Sequence, residues 1–398
     1  MHSKAVKIQR MMKEMGIQAL LAQSPENFAY VSGFSSHQHT VSRHPQFAAA
    51  VLIEGVKPTL IGMDFETPSF DHNDFDVLSF TTWVGNRTQD QLKDTTFTQS
   101  MITLLDHVDT LIQTHHLQDA TVGVELDYLP VSFFESMKAR WPMIHFVNVS
   151  PLFLQARIIK EEDEIAWFKT LIRISDEALN LVANNLKEGM SEQQLYTLYT
   201  QHVSSSGVAY PSTWSSFGSG ENAGKLGYSS DKIITSKDVV KFDGGVHGGT
   251  QFYTTDFSRS WLMSDVDPWL VKVKQNLLEA HEKMLSALKP GLSFKDLFNI
   301  GYQHTLKEFP FYVRGHLGHS ISMGPQTAEA PFITSNQEGV LEAGMILSVE
   351  NPMYITGYNG FNIEDMVLIT KEGYELLTPL TPHVLESEAH YFTQSSNS

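Results

Sequence analysis

The stretch DVVKFDGGVHGGTQFYTTDFSRSWLM (residues 238–263) carries two aspartates, Asp243 and Asp256, within otherwise apolar runs. Gly-Gly occurs twice between them, and glycines flanked by apolar runs are typical of a β-hairpin. A hairpin places the two aspartates on paired strands, within reach of each other. Two carboxylates that face inward repel each other unless a cation lies between them. The stretch therefore predicts a sheet whose strands carry a cation-binding pair of acids.

Two further acids follow apolar runs later in the chain. Glu350 follows ILSV and Glu364 follows FNI, so each stands at the end of a strand-like segment. Charged residues are rarely buried without a partner, and few basic residues stand beside these acids in the sequence. For any one acid, a solvent-facing position on an amphipathic strand is the simpler interpretation. For all four together with His319, in GHLGHSIS (315–322), we favour a metal site.

The residue types indicate which ions would bind. An oxygen-rich site with one imidazole suits hard or borderline divalent ions such as Mn²⁺, Co²⁺, Fe²⁺ or Zn²⁺. Four carboxylates carry more negative charge than one divalent ion needs. Two ions about 3.5–4 Å apart, sharing bridging carboxylates, would balance this charge and generate a hydroxide at neutral pH. The expected cofactors are two divalent metal ions, with Mn²⁺ as the first choice and Co²⁺, Fe²⁺ or Zn²⁺ as alternatives.

Length, charge and composition narrow the class of protein. The 398 residues are too many for one ordinary core, which predicts two domains. The net charge of −17 argues against nucleic acid or an anionic membrane as partner, because binding either depends on neutralising phosphate. The absence of cysteine excludes disulfides, thiolate zinc sites and a cysteine nucleophile. No long apolar run and no signal-peptide pattern is found, so we expect a soluble cytoplasmic protein.

The pattern of elements changes near residue 155. Before it, short apolar strands alternate with helical segments, which predicts a layered α/β domain. This half includes a long helical stretch near 90–112, and NFAYVSGF (27–34) indicates a strand or turn. From residue 156, amphipathic helices are interspersed with strand-like runs, which predicts an α+β domain with helices on a curved, mostly antiparallel sheet. The expected domains are 1–155 and 156–398.

The motifs KFDGG…TTDFSRS, GHSIS…EAP, GMILSVENP and GFNIEDMVLIT, taken in this order, resemble those of the pita-bread metallopeptidases. This family includes methionine aminopeptidase, aminopeptidase P, prolidase and the metal-free creatinase. The resemblance covers nearly the whole chain and is strongest over 215–370. It implies a creatinase-like N-terminal domain (1–155) and a catalytic pita-bread domain (156–398). It also implies a homodimer in which the N-terminal domain of one subunit completes its neighbour's active site.

The resemblance implies roles for individual residues. Five side chains correspond to the family's metal ligands: Asp243, Asp256, His319, Glu350 and Glu364. Asp256 and Glu364 would bridge the ions, and Glu350 would also accept a proton from the attacking water. Creatinase lacks this set, so the intact ligands place the chain with the metal-using members. The implied activity is metal-dependent hydrolysis of an amide C–N bond in a small peptide or amino-acid derivative, with an Xaa-Pro dipeptidase or aminopeptidase as the specific expectation.

Two histidines of the family pattern are missing. One shortly before the first aspartate is replaced by Gly227, and the histidine of a His-Glu-x-Pro element is replaced by Ala328. Assistance from proton donors of this kind is worth roughly 10²–10⁴-fold in rate. Two alternatives therefore stay open beside the Xaa-Pro peptidase. One is a creatinase-related hydrolase or lyase acting on a non-peptide metabolite, and the other is a non-catalytic metal-binding relative.

Other side chains are candidates for the missing roles. His316 stands three residues before His319, so it faces away on an extended strand but can approach the site on a turn; a packing role is the alternative. Arg314 is a candidate for binding a substrate carboxylate. Tyr228 either donates a phenolic hydrogen bond to substrate or is a core aromatic residue. Arg259 matches a family arginine, for which a core salt bridge and substrate contact are both open.

Overall fold

The computed structural model describes residues 3–81, 86–94, 102–249, 251–321, 323–324 and 328–392. These residues divide into two compact units. The first runs to Arg157 and also includes Gln251 and Phe252, and the second begins at Ile158 and contains the other described residues. None of the helices in these ranges combines the length and the hydropathy that a membrane span requires.

The first unit alternates helices with short strands. Its helices are α1 (Ser3–Glu14), α2 (Pro25–Ser32), α3 (His37–Ser42), α4 (Gln89–Lys93), α5 (Leu104–Thr114), α6 (Val131–Arg140) and α7 (Ser150–Ile158). Its strands are β1 (Ala19–Ala22), β2 (Ala48–Ile53), β3 (Thr59–Met63), β4 (Asp76–Phe80), β5 (Thr121–Val124) and β6 (His145–Asn148). Among the described residues these strands form one sheet in the order β4-β3-β2-β1-β5-β6. Because β2 is antiparallel to both neighbours and the other pairs are parallel, the sheet is mixed.

The second unit contains longer helices and a larger sheet. Its helices are α8 (Glu162–Asn185), α9 (Glu192–Ser205), α10 (Pro268–Ala287), α11 (Phe294–Glu308) and α12 (Ala389–Phe392). Its strands are β7 (Ala209–Pro211), β8 (Ser216–Ser219), β9 (Val239–Gly244), β10 (Val246–Gly248), β11 (Phe257–Leu262), β12 (Gly318–Ile321), β13 (Ala328–Phe332), β14 (Ile346–Ile355), β15 (Asn359–Ile369) and β16 (Tyr374–Leu376). The main sheet runs β13-β12-β14-β15-β11-β9-β8, with β16 beside β15. Its pairings within the described residues are antiparallel.

Local sequence signals explain where several helices begin. Ser191 and Gln194, three residues apart, form a capping box at the start of α9. Acidic residues occupy the first turn of α8, where the helix dipole favours them. Pro268 stands in the first turn of α10, after the capping side chain of Asp267. These contacts involve neighbours in sequence, which is why the sequence predicts them well.

The two longest strands determine which side chains face the helices. β14 and β15 pair from Ile346 opposite Leu368 to Ile355 opposite Asn359. Leu347, Val349 and Ile363 belong to the apolar core that also contains residues of α10 and α11. Because side chains alternate along a strand, Glu350 and Glu364 project from the opposite face. The predicted fold class, an α/β N-terminal part followed by an α+β part with an antiparallel sheet, is confirmed.

Three local predictions are wrong in detail. NFAYVSGF lies largely in helix α2, which Ser24 caps and which ends at Gly33 in a left-handed conformation (φ 70°). The stretch near 90–112 contains two helices, α4 and α5, each opened by its own threonine capping box, and residues 95–101 lie outside the described residues. In the predicted hairpin Asp256 does not itself lie on a paired strand, because β11, the partner of β9, begins at Phe257.

Candidate active site

The pairing of strands brings together four of the five proposed ligands, and the fifth, Asp256, lies just before a paired strand. Glu350 and Glu364 are direct partners across β14 and β15. Ser258 of β11 is opposite Asp243 on one side and Glu364 on the other. Asp256 precedes β11 by one residue, and His319 lies on β12, the other neighbour of β14. Side chains from distant segments therefore meet on one face of the sheet.

Three of these residues form a compact group. Asp256, His319 and Glu364 are buried, and each offers one potential ligand atom such that all three atoms lie within 4.8 Å of one another. His319 Nε2 is 3.4 Å from Asp256 Oδ2. His319 Nδ1 lies 3.1 Å from the carbonyl oxygen of Ser320, and a hydrogen bond donated from Nδ1 leaves the Nε2 lone pair for a metal.

The other two carboxylates are each in contact with polar groups of the chain. The Tyr354 hydroxyl donates a hydrogen bond of 3.3 Å to Asp243 Oδ2, and Lys241 Nζ is 3.8 Å from the same oxygen. Arg314 Nη2 donates to both carboxylate oxygens of Glu350, at 3.2 and 3.1 Å. Few basic residues stand beside these acids in the sequence, but alternation along β9 and the segment before β12 bring two cations, Lys241 and Arg314, next to them.

Burial and the neighbouring charges shift the pKa values of three of these acids. Burial raises the pKa of Glu364 well above its usual value, and the nearby charges of Asp256 and Glu350 raise it further. Burial and repulsion from Asp256 and Glu350, opposed by Lys241, raise the pKa of Asp243 to about 6. Burial also disfavours ionisation of Glu350, but the close His316 ring and Arg314 together hold its pKa below the usual value. A divalent cation would relieve this repulsion, so the donor set fits a metal site.

The acids open into a cavity of about 540 Å³. Its wall includes both positions at which the family histidines are missing, Gly227 and Ala328. At Gly227 no atom lies within 4 Å of where a Cβ would stand, so this side of the cavity has open space. Apolar and aromatic residues form much of the remaining wall: Trp214, Leu226, Tyr228 and Tyr354.

The remaining sequence candidates have different surroundings. His316 lines the cavity, with Nδ1 3.0 Å from Glu350 Oε1. Arg314 also lines the cavity through its partly exposed side chain. Tyr228 is 86% exposed at the cavity wall, so the interpretation as a core aromatic residue is wrong. Arg259 is buried and paired with Asp365 at 2.8 Å, which favours the core salt bridge over substrate contact.

Sequence reasoning missed three residues of the site: Lys241, Tyr354 and Asn362. Asn362 Nδ2 donates to Glu364 Oε2 at 3.1 Å and lies 3.4 Å from Glu350 Oε2. Each missed residue is two or four positions from a proposed ligand on the same strand. Residues at even spacing share a face of a strand, so this signal was available in the sequence.

Family comparisons agree with this architecture. Residues 166–371 match the model of metallopeptidase family M24, and residues 5–159 match that of the Creatinase/Prolidase N-terminal domain. The chain belongs to metallopeptidase family M24. The predicted resemblance to the pita-bread metallopeptidases is thereby confirmed, as is the expectation of a metal-dependent hydrolase at the level of the family.

Individual relatives of this M24 chain include peptidases. An Xaa-Pro dipeptidase of Pyrococcus horikoshii is 30% identical over 261 residues, which is 65% of this chain and 73% of that protein. An uncharacterized peptidase of Staphylococcus aureus is 28% identical over 295 residues, covering 73% and 82% of the two chains. Among solved structures, the Xaa-Pro dipeptidase from Bacillus anthracis has a TM-score of 0.80 at 22% identity, covering 96% of this chain and 99% of that chain. The likeness to this structure supports the shared fold.

Proposed function

We propose that the chain is a dinuclear-metal hydrolase that cleaves an amide C–N bond, and that its substrates are Xaa-Pro dipeptides or peptides. The observation that carries the proposal is the buried group of Asp256, His319 and Glu364, with Asp243 and Glu350 completing the donor set. The 30% identity to an Xaa-Pro dipeptidase supports the substrate class. The proposal includes a creatinase-like N-terminal domain (1–155) and a catalytic domain (156–398).

The five donors, Asp243, Asp256, His319, Glu350 and Glu364, would hold two divalent ions, with Mn²⁺ as the first choice. Bound there, the ions supply Lewis acidity that activates a water molecule and polarises the substrate carbonyl. The chain's own residues handle the proton and the substrate.

Glu350 is suited to accept the proton of the attacking water. Its pKa is held below the usual value, despite burial, by His316 and Arg314, so it is ionised at neutral pH. The His316 ring, 3.0 Å from Glu350 Oε1, lines the same cavity and can carry a proton toward the leaving amine. Arg314 and Tyr228 line the cavity, where Arg314 would bind a substrate carboxylate and Tyr228 would donate a hydrogen bond.

Metal removal and a substrate panel test the proposal. The chain is stripped with a chelator, reloaded with Mn²⁺, Co²⁺, Fe²⁺ or Zn²⁺, and assayed on Xaa-Pro dipeptides and longer Xaa-Pro peptides. We expect no turnover without metal and recovery on reloading, with hydrolysis confined to the bond before proline. Full metal binding with no turnover of any peptide would contradict it, and a further lack of turnover on amide metabolites would favour the non-catalytic alternative.

A second candidate function is hydrolysis of a non-peptide amide, or a lyase reaction, on a small metabolite. The specific observation in its favour is the open space beside Gly227, where the family carries a histidine that contacts substrate. Ala328 removes the second such group from the cavity wall. Adding N-acyl amino acids and cyclic amides to the panel separates the two candidate functions. If the second candidate is correct, turnover of an amide metabolite should exceed turnover of every Xaa-Pro peptide.

Assembly and location remain predictions. We expect a homodimer, which light scattering on the purified chain measures directly. Cytoplasmic location and the lack of nucleic-acid or membrane partners are also expected, and fractionation of cells that express the chain tests the location.

A further inference from the structure

Lys241 is a buried lysine beside the proposed metal site. It lies on β9 two residues before Asp243, so both side chains project from the same face of the strand. Only 2% of Lys241 is exposed, and its Nζ is 3.8 Å from Asp243 Oδ2. No role in the chemistry outlined above requires it.

Burial lowers the pKa of Lys241 from its usual value, and the charge of Asp243 is the largest contribution that opposes this shift. Nζ donates a hydrogen bond of 3.1 Å to the carbonyl oxygen of Lys225. It also lies 4.3 Å from the centre of the Tyr354 ring, in cation–π geometry. With Asp243 as the third neighbour, the ammonium group has an acceptor, an aromatic face and a carboxylate around it. Burial alone would favour the neutral amine, so these three contacts are what a buried ammonium needs.

Asp243 is thus set apart from the compact group of Asp256, His319 and Glu364. The ligand atoms of those three lie within 4.8 Å of one another, which is the spacing one ion requires. Asp243 instead accepts a hydrogen bond from Tyr354 and neighbours Lys241. An ion that binds Asp243 must therefore compete with a resident positive charge.

We propose that Lys241 is a positioning residue that acts as an internal counter-cation for Asp243, and that it sets the affinity of the site for a second divalent ion. The inference rests on the proposed dinuclear function. A second ion at Asp243 would lie within a few ångströms of the ammonium group, where repulsion between like charges is strong because Lys241 is buried and water screens its charge little. The first ion, which Asp256, His319 and Glu364 would hold, should be affected less, because Asp243 is the carboxylate that lies beside Lys241 Nζ.

Calorimetric titration of the metal-free full chain with Mn²⁺ tests this role. Wild type is compared with Lys241→Met, which keeps the length of the side chain and removes its charge. In Lys241→Met we expect the second dissociation constant to fall by at least about tenfold, with the first changing by less than about threefold. The electron paramagnetic resonance signal of a coupled Mn²⁺ pair should then develop at correspondingly lower Mn²⁺ concentration.

Two control variants separate this effect from others. Lys241→Arg keeps the charge and should retain the wild-type second dissociation constant. Lys232→Met removes an equal charge from the partly buried pair with Asp238, which is not a proposed ligand, and should leave both constants unchanged. Lys241→Gln replaces Lys241→Met if the methionine variant does not fold, as judged by circular dichroism.

The possible results are distinguishable. An unchanged second constant in a folded Lys241→Met or Lys241→Gln chain overturns the role of Lys241 and leaves the proposed function intact. If wild type binds two ions with equal dissociation constants, the second site is not weakened, and the proposed role of Lys241 is overturned without any variant. Failure of every protein to bind a divalent ion overturns both this inference and the proposed metal function.

Discussion

At the cavity wall, His316 is one-third exposed and its Nδ1 lies 3.0 Å from Glu350 Oε1. Its ring also lies edge-on to those of His319 and Phe332, at centroid distances of 6.1 and 5.7 Å. These contacts hold the imidazole between the proposed proton acceptor and the open cavity. A histidine in this position can exchange protons with Glu350 and with a substrate. It could therefore supply the proton transfer for which the family histidines are missing.

Replacement of His316 by Gln should lower kcat for the substrate that the panel identifies by roughly 10²–10⁴-fold, because a proton-transfer group is lost. KM should change far less, since no substrate charge is bound by this ring. Steady-state kinetics with bound metal measured in parallel checks the prediction. His304→Gln on α11 is the control and should keep wild-type kinetics, and equal kcat values for the His316 variant and wild type would contradict the role.

His39 predicts a pH dependence of stability in the first unit. It is fully buried, its Nε2 lies 2.7 Å from the carbonyl oxygen of Gln23, and burial lowers its pKa to about 4. The unfolded chain has a histidine pKa near 6.5, so between pH 6.5 and 4 the unfolded state binds more protons. This contribution to stability is complete above pH 6.5 and is lost as the pH falls toward 4, by up to about 3 kcal/mol.

Hydrogen exchange of α3 amides at pH 7 and pH 4.5 measures this contribution. Protection should fall at the lower pH in wild type and fall less in a folded His39→Gln variant. An identical pH response in the two proteins would exclude His39 as the cause.

At the scale of elements, one buried ion pair joins the strands behind the site to the C-terminal segment. Arg259 on β11 pairs with Asp365 on β15 at 2.8 Å, and it donates to the carbonyl oxygens of Thr378 and Thr381. Asp365 also accepts hydrogen bonds from His281 on α10 and His383. Asp365 follows Glu364 directly on β15, so their side chains project from opposite faces of the strand. The network around Asp365 therefore fixes the strand that carries the proposed ligand Glu364.

Replacement of Arg259 by Met should destabilise the second unit by about 3–5 kcal/mol, since it leaves the Asp365 carboxylate buried without its charge partner. Urea denaturation followed by tryptophan fluorescence measures the loss. The double variant Arg259→Met, Asp365→Asn should recover part of it. Arg173→Met breaks an exposed pair with Glu177 on α8 and should cost less than about 1 kcal/mol. A cost that small for Arg259→Met would show that its pairing contributes little.

At the scale of the whole molecule, all five proposed ligands belong to the second unit. Binding of an ion to the folded form alone should therefore stabilise that unit and not the first. The gain is about 2.7 kcal/mol when the free ion is at 100 times its dissociation constant.

Differential scanning calorimetry of the full chain with and without Mn²⁺ checks this expectation. One transition should move to higher temperature with Mn²⁺, and removal of the ion by a chelator should reverse the shift. In His319→Ala the shift should be largely lost, because the only imidazole among the five donors is gone. A shift of equal size in His319→Ala would contradict the assignment of His319.

Local patterns in the amino-acid sequence are enough to predict an α/β part followed by helices on an antiparallel sheet, and to select the five candidate donors. Apolar periodicity, capping residues and acids within apolar runs depend on neighbours in the chain, so they can be read without coordinates. The same reasoning placed NFAYVSGF in a strand or turn, because its helix depends on the cap at Ser24 and the left-handed Gly33 acting together.

The division of the donors into a group of three and two carboxylates with their own cations required the folded chain. Lys241 lies two residues before Asp243 on the same strand, a spacing that is visible in the sequence, whereas Arg314 reaches Glu350 across 36 positions of sequence. Tyr228 could not be assigned to the core or the surface without knowing what packs around its loop. The contact of Arg314 with Glu350 and the exposure of Tyr228 depend on segments that are distant in sequence, and contacts across that distance leave no periodic signal in the chain.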